Sequence, residues 1–141
     1  RTLEMRIRQH SLNAMHIASF LESHPKIEKV YYPGLPNSSS HEIGKKLFHD
    51  GLFGGMLSFD LTGGEKAACR LIRELESIEL VPSLAGVRTT LSYPAKTSHR
   101  ALNDDELKTA GISKGTLRLS AGLENIEDII AELEASLTRI L

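Results

Sequence analysis

The hydrophobic period of the chain switches from two to about 3.6 within a few residues near its carboxy-terminal end, and few folds accommodate that switch. In Thr116-Leu117-Arg118-Leu119-Ser120 the two leucines alternate with Arg118 and Ser120, the pattern of a strand that buries one side only. Ala121-Gly122-Leu123-Glu124 turns the chain, and Ile126, Ile129, Ile130, Leu133, Leu137 and Ile140 then recur at helical spacing. A strand with one apolar side, followed by a helix with one apolar stripe, requires at least two layers sharing a core. Arg118 is thereby sent to the side of the sheet away from that core.

The rest of the chain extends this pattern. Leu3, Ile7, Ala14, Ala18 and Leu21 predict a helix over 2 to 23 that ends before His24-Pro25. Further helices are predicted over 40 to 50, 63 to 77, 104 to 110 and from 126. Ser39 with Glu42, Thr62 with Glu65 and Asn103 with Glu106 have the capping-box spacing, and Asn125 with Asp128 has a weaker form of it. The first helix has no comparable start, as expected of a chain cut near a domain boundary. Strand character marks Glu28 to Tyr32, Gly55 to Leu61, Ile78 to Val81, Thr89 to Ser92 and Thr116 to Ser120. In the second of these, Leu57, Phe59 and Leu61 oppose Met56, Ser58 and Asp60. The expectation is an α+β fold: a mainly antiparallel sheet of about five strands with helices chiefly on one face, residues 1 to 141 making a single domain.

Charge narrows the function. A net charge of −1 with both signs interspersed gives no broad positive field for nucleic acid or an anionic membrane. No apolar run has the length to cross a bilayer. The single cysteine, Cys69, excludes an internal disulfide and fits a reducing, cytoplasmic setting. Gly54-Gly55 and Gly63-Gly64 lack the offsets of a phosphate loop and are ordinary turn glycines. The six histidines show no metal-ligand spacing, so no metal is expected. Ser83, Ser98 and Ser120 lie in no nucleophile context, and Ser83 and Ser98 sit in loops bounded by strands. Each alone reads as a turn serine, and Arg118 alone reads as a solvated sheet residue. Beside one another, a guanidinium fork with hydroxyls and backbone donors makes a carboxylate site.

Three segments, Ser83-Leu84-Ala85-Gly86-Val87, Pro94-Ala95-Lys96-Thr97-Ser98-His99 and Leu117-Arg118-Leu119-Ser120-Ala121-Gly122-Leu123-Glu124, resemble in order and spacing the Cys/Met-metabolism family of pyridoxal-phosphate (PLP) enzymes. Asn13-Ala14, His24-Pro25, Tyr32-Pro33-Gly34-Leu35-Pro36, Phe53-Gly54-Gly55-Met56-Leu57-Ser58-Phe59 and Ala110-Gly111-Ile112 extend the likeness over essentially the whole chain. What it resembles is the small carboxy-terminal domain of these fold-type I enzymes, which include cystathionine γ-synthases, cystathionine lyases, methionine γ-lyases and homoserine-ester sulfhydrylases. In departure from the family pattern, Ala85 stands where glycine is common and Ser98 where threonine is common. Ser92 and Tyr93 replace an acidic residue and a histidine or another residue.

The resemblance implies that Arg118 clamps the substrate α-carboxylate, that Ser83 assists chiefly through its backbone N–H, and that Ser98 and Pro82 shape the pocket. It implies no catalytic lysine in this chain, because the Schiff-base lysine belongs to an upstream PLP-binding domain. The implied activity of the full-length protein is β- or γ-elimination as a carbon–sulfur lyase of cysteine, methionine or cystathionine metabolism, with γ-replacement as the rival. The isolated chain is expected to be inactive. The full-length enzyme is expected to use pyridoxal 5'-phosphate, act on an amino acid and assemble as a homodimer or homotetramer. A stand-alone, non-catalytic binding or interaction domain is the alternative from another class.

Overall fold

A computed structural model describes residues 1 to 140. The elements are α1 (Leu3–Ser23), β1 (Ile27–Tyr31), α2 (His41–Leu47), β2 (Met56–Leu61), α3 (Gly64–Glu74), β3 (Glu79–Leu80), β4 (Thr90–Ser92), α4 (Asp104–Thr109), β5 (Thr116–Ser120) and α5 (Ile126–Arg139), with a 3₁₀ turn at Pro94–Lys96. The strands form one five-stranded sheet in the order β1-β2-β5-β4-β3. Only the short β3–β4 pair is parallel. The expected α+β architecture is the observed one.

Alternation decides the faces. Leu57, Phe59 and Leu61 of β2, Leu117 and Leu119 of β5 and Leu91 of β4 are buried together. Over them lie Ile17, Ala18 and Leu21 of α1, Ala68 and Leu71 of α3, and Ile129, Leu133 and Leu137 of α5. The other face carries Ser58, Asp60, Thr116, Arg118, Ser120, Thr90 and Ser92. The connection from β4 to β5 passes along that polar side, so that Leu107 of α4 and Ile112 lie beside Tyr31 and Asp60. The polar side is thus walled without being sealed.

Two predicted caps are displaced. Ser40 and Gly63, one residue beyond Ser39 and Thr62, occupy the N-cap positions of α2 and α3, and neither gives a side-chain cap bond. Glu42 and Glu65, which the capping-box spacing enlists, instead meet Lys45 and Lys96, each at 2.9 Å. Asn103 and Glu106 do close a capping box on α4, and Asn125 caps α5 by accepting from Glu127 N–H at 3.1 Å. The far end of α5 is capped from outside: Lys26 Nζ donates to the carbonyls of Leu137 at 2.6 Å and Thr138 at 3.2 Å, and to that of Ile140. α3 stops at Glu74 rather than 77, since Glu132 of α5 collects the N–H groups of Glu76 and Ser77 at 2.8 Å each and of Ile78 at 3.1 Å.

Candidate functional site

Arg118 lies at the middle of β5, and the register fixes its neighbours. Ser58 of β2 is its partner on one side and Ser92 of β4 on the other, while Tyr31 of β1 pairs with Ser58. Tyr31, Ser58, Arg118 and Ser92 therefore form one row across four strands, and directly opposed Cβ atoms in such a row are about 5 Å apart. The row floors a cleft of ≈ 530 Å³ whose walls include Pro82, Pro94, Ser98, His99 and Ile112. Among the described residues that line it, Arg118 is the only lysine or arginine.

The residues singled out from the sequence converge unequally. Arg118, Pro82 and Ser98 line the one cleft. Ser83 touches Arg118 from its rim, where its carbonyl accepts from Arg118 Nη2 at 3.4 Å. The Ser83 N–H is directed to Val81 O at 2.8 Å, so the guanidinium meets the backbone acceptor of this residue and not its donor. Ser98 Oγ is 2.7 Å from His99 Nδ1. Tyr31, Ser58 and Ser92 were not identified as site residues from sequence: the alternation in β2 puts Ser58 on the polar face, but only the strand order puts it beside Arg118. Cys69 is half-buried, packs on the core and lies 3.4 Å from Lys96 Nζ, away from this cleft.

Buried polar groups hold the turn that follows Arg118. His10 Nδ1 is 2.6 Å from Ala121 O, and Asn13 Nδ2 donates to Gly122 O at 3.0 Å and Glu124 O at 2.9 Å. Glu124 accepts from Thr89 N–H at 2.6 Å and Thr89 Oγ1 at 2.9 Å, and Gly122 N–H donates to Thr89 Oγ1 at 2.9 Å. A side chain at Gly122 would put a Cβ 2.1 Å from Glu124 Oε2 and 2.5 Å from the backbone at Arg88 and Thr89. Glycine is needed for this close approach rather than for its dihedrals.

The electrostatics of the polar face are set by Asp60. Its carboxylate accepts from Tyr31 OH at 2.8 Å, from Ser113 Oγ at 3.3 Å and from Thr116 Oγ1. Burial, and then the bond and charge of Asp60, push the Tyr31 phenol up to about 12, so it stays a neutral donor at working pH. The cleft lining contains no lysine that could form an imine with PLP. The donor set fits a carboxylate.

A model of the family described as Cys/Met metabolism PLP-dependent enzyme matches residues 1–138. The chain belongs to this family. It is 46% identical over 140 residues to an L-methionine gamma-lyase of Fusobacterium nucleatum subsp. polymorphum, covering 99% of this chain and 35% of that protein. It is 41% identical over 139 residues to an O-acetyl-L-homoserine sulfhydrylase of Leptospira meyeri, covering 99% of this chain and 31% of that protein. A crystal structure of cystathionine gamma synthase from Xanthomonas oryzae pv. oryzae, in complex with aminoacrylate and cysteine, matches with a TM-score of 0.92 at 39% identity. That match covers 99% of this chain and 36% of the other. The chain thus spans 35% and 31% of the two curated relatives. Its α+β fold is one found within fold-type I PLP enzymes. Among the described residues no helix is long and apolar enough to cross a membrane.

Proposed function

We propose that this chain is the carboxy-terminal, substrate-carboxylate-binding domain of a PLP-dependent carbon–sulfur lyase of sulfur amino-acid metabolism. The observation that carries the reading is Arg118, a guanidinium with no carboxylate partner among the described residues, at the floor of a polar cleft. A planar fork that is charged at every working pH suits a carboxylate in two-point contact. Within this reading Arg118 grips the substrate α-carboxylate, the Ser83 segment borders it, and Ser98 and Pro82 shape the pocket. Pyridoxal phosphate supplies the electron sink in such enzymes, and the lysine that carries it is assigned to the rest of the polypeptide. The isolated 141-residue chain is accordingly inactive, and the whole enzyme is cytoplasmic and a homodimer or homotetramer.

Elimination is favoured by the methionine gamma-lyase relatives, while Pro82, which offers the pocket neither charge nor donor, leaves the choice of reaction open. The sulfhydrylase relatives support γ-replacement as the second reading. In the complete enzyme, Arg118→Ala should lower kcat/KM by about 3 kcal/mol, roughly 150-fold, because one partner of a desolvated charge pair is removed. Arg118→Lys should recover only part of this. An unchanged kcat/KM in steady-state assays of thiol and keto-acid release would remove Arg118 from the site.

A further inference from the structure

The loop between β3 and β4 holds Ala85 at φ +58°. A residue with a Cβ keeps that left-handed conformation only where its surroundings impose it. Apolar packing does not do so here, because the neighbours Leu84 and Val87 are 59% and 58% exposed. A buried hydroxyl ties the left-handed residue itself: Ala85 N–H donates to Ser120 Oγ at 3.0 Å, and Ser120 is 2% exposed, while Thr90 Oγ1 reaches the loop only at Ser83 O, at 3.4 Å. The loop is also pinned at its ends, by Val81 N–H on Leu91 O at 2.9 Å and by Leu123 N–H on Val87 O at 2.8 Å. Between those pins, Ser120 is the only side-chain acceptor of a loop N–H among the described residues.

Ser120 and Arg118 stand two residues apart on β5, hence on the same face. The strand that carries the guanidinium therefore also carries the tie that sets the loop beside it. We infer that Ser120 is a positioning residue for the Arg118 site. Its hydroxyl fixes the left-handed turn at Ala85, which places Ser83 O on Arg118 Nη2 and Pro82 at the cleft wall, leaving the remaining guanidinium donors to a carboxylate. This rests on the carboxylate-binding reading of Arg118.

The test is steady-state kinetics of the complete enzyme carrying Ser120→Ala or Ser120→Thr, each with and without Arg118→Ala, together with hydrogen exchange of the 82–88 segment. Ser120→Ala should lower kcat/KM roughly tenfold, mostly through KM, and should speed exchange at the Ala85 amide. Ser120→Thr, which keeps the acceptor in a residue suited to a strand, should return to within about threefold of the parent. With Arg118→Ala already present, Ser120→Ala should cost less than about twofold, since a residue acting through Arg118 has nothing left to position. Equal losses in both backgrounds, or no loss beside the native arginine, would overturn the inference. Failure of the carboxylate reading shows separately, as a flat response to Arg118→Ala alone, and takes the positioning role with it. If Ser120→Ala does not yield folded enzyme, Ser120→Cys, close in volume and a weak acceptor, is judged by the same criteria.

Discussion

Asn13 offers the sharpest test of how the site is supported, because its chemistry can be inverted without changing its shape. The side chain is 1% exposed, its amide donates to two carbonyls of the turn after β5, and its oxygen accepts from Gln9 Nε2 at 2.9 Å. Asn13→Ala strands Gly122 O and Glu124 O, one fully buried and one partly, at about 1 to 2 kcal/mol each. A loss of about 3 kcal/mol corresponds to roughly a 10 °C fall in Tm for a chain of this size. Asn13→Asp should be worse at neutral pH, because a carboxylate would face two carbonyl oxygens. The neutral acid can still donate one of the two bonds, so the introduced carboxyl holds its proton in the folded state and its folded pKa is raised. For a raised acid pKa the sign is fixed: stability is greatest below the unfolded value, about 4, and is lost as pH rises towards the folded value. Urea unfolding of the parent and both variants at a series of pH values from 4 to 8 measures this. Equal stability of the Asn13→Asp variant and the parent at pH 8, or a gap between them that does not widen from pH 4 to pH 8, would refute the reasoning.

Glu132 gives the opposite pH limb in the native protein. Burial raises its carboxyl, but the bonds from Ser77 Oγ and from the N–H groups of Ile78, Ser77 and Glu76 outweigh that and hold it below its ordinary value. Its contribution is therefore present above the unfolded carboxylate range and is lost as pH falls through the lowered value. Glu132→Gln should flatten that part of the acid limb in unfolding curves, and an acid limb unchanged by the substitution would show that the cluster is not coupled to folding. At Ala85, φ +58° makes glycine the better residue for the backbone. Ala85→Gly should change stability by a gain of about 0.5 kcal/mol, the relief of a left-handed Cβ partly offset by a more flexible unfolded chain, and a loss above about 1 kcal/mol in denaturant titration would contradict it.

The sequence was most legible where one side of an element is apolar. β5 runs over the residues that alternation marks, Thr116–Ser120, and α5 follows its apolar stripe, whereas in α1 Ala14, Ala18 and Leu21 are buried but Leu3 and Ile7 are 62% and 41% exposed. It was least legible where a distant partner intervenes. α3 ends early because its next N–H groups turn to Glu132 on α5, and α2 ends at Leu47 before a left-handed turn at Asp50 and Gly51. The strand expected over Ile78 to Val81 shortens to Glu79–Leu80, an exposed edge pair whose residues face no core. Ser58 and Ser92 could not be placed beside Arg118 without the order β2-β5-β4, which depends on long-range pairing that no local pattern encodes. Met15 packs against the core, while Met5 and Leu12 are 67% and 50% exposed.

The polar face also keeps Arg118 clear of the carboxylate on its facing strand. Asp60 is the nearest acidic residue along the facing strand, one same-face position from Ser58 and hence diagonal to Arg118, a separation of about 7 to 8 Å and somewhat less between Cβ atoms. A long guanidinium could close that gap, and an exposed carboxylate there would compete with any substrate for it. Asp60 does not compete, because it is 8% exposed and three hydroxyls, from Tyr31, Ser113 and Thr116, are directed at its two oxygens. Tyr31 comes from the edge strand, Thr116 from the start of β5 and Ser113 from the turn that leads into it, so the cage closes only when β1, β2 and β5 are all in register. Neutral donors stabilise the buried carboxylate without cancelling the positive charge one row away. The same pairing that assembles the row Tyr31-Ser58-Arg118-Ser92 thus occupies the carboxylate of the facing strand, and the guanidinium is left with a carbonyl at 3.4 Å and an open cleft in front of it.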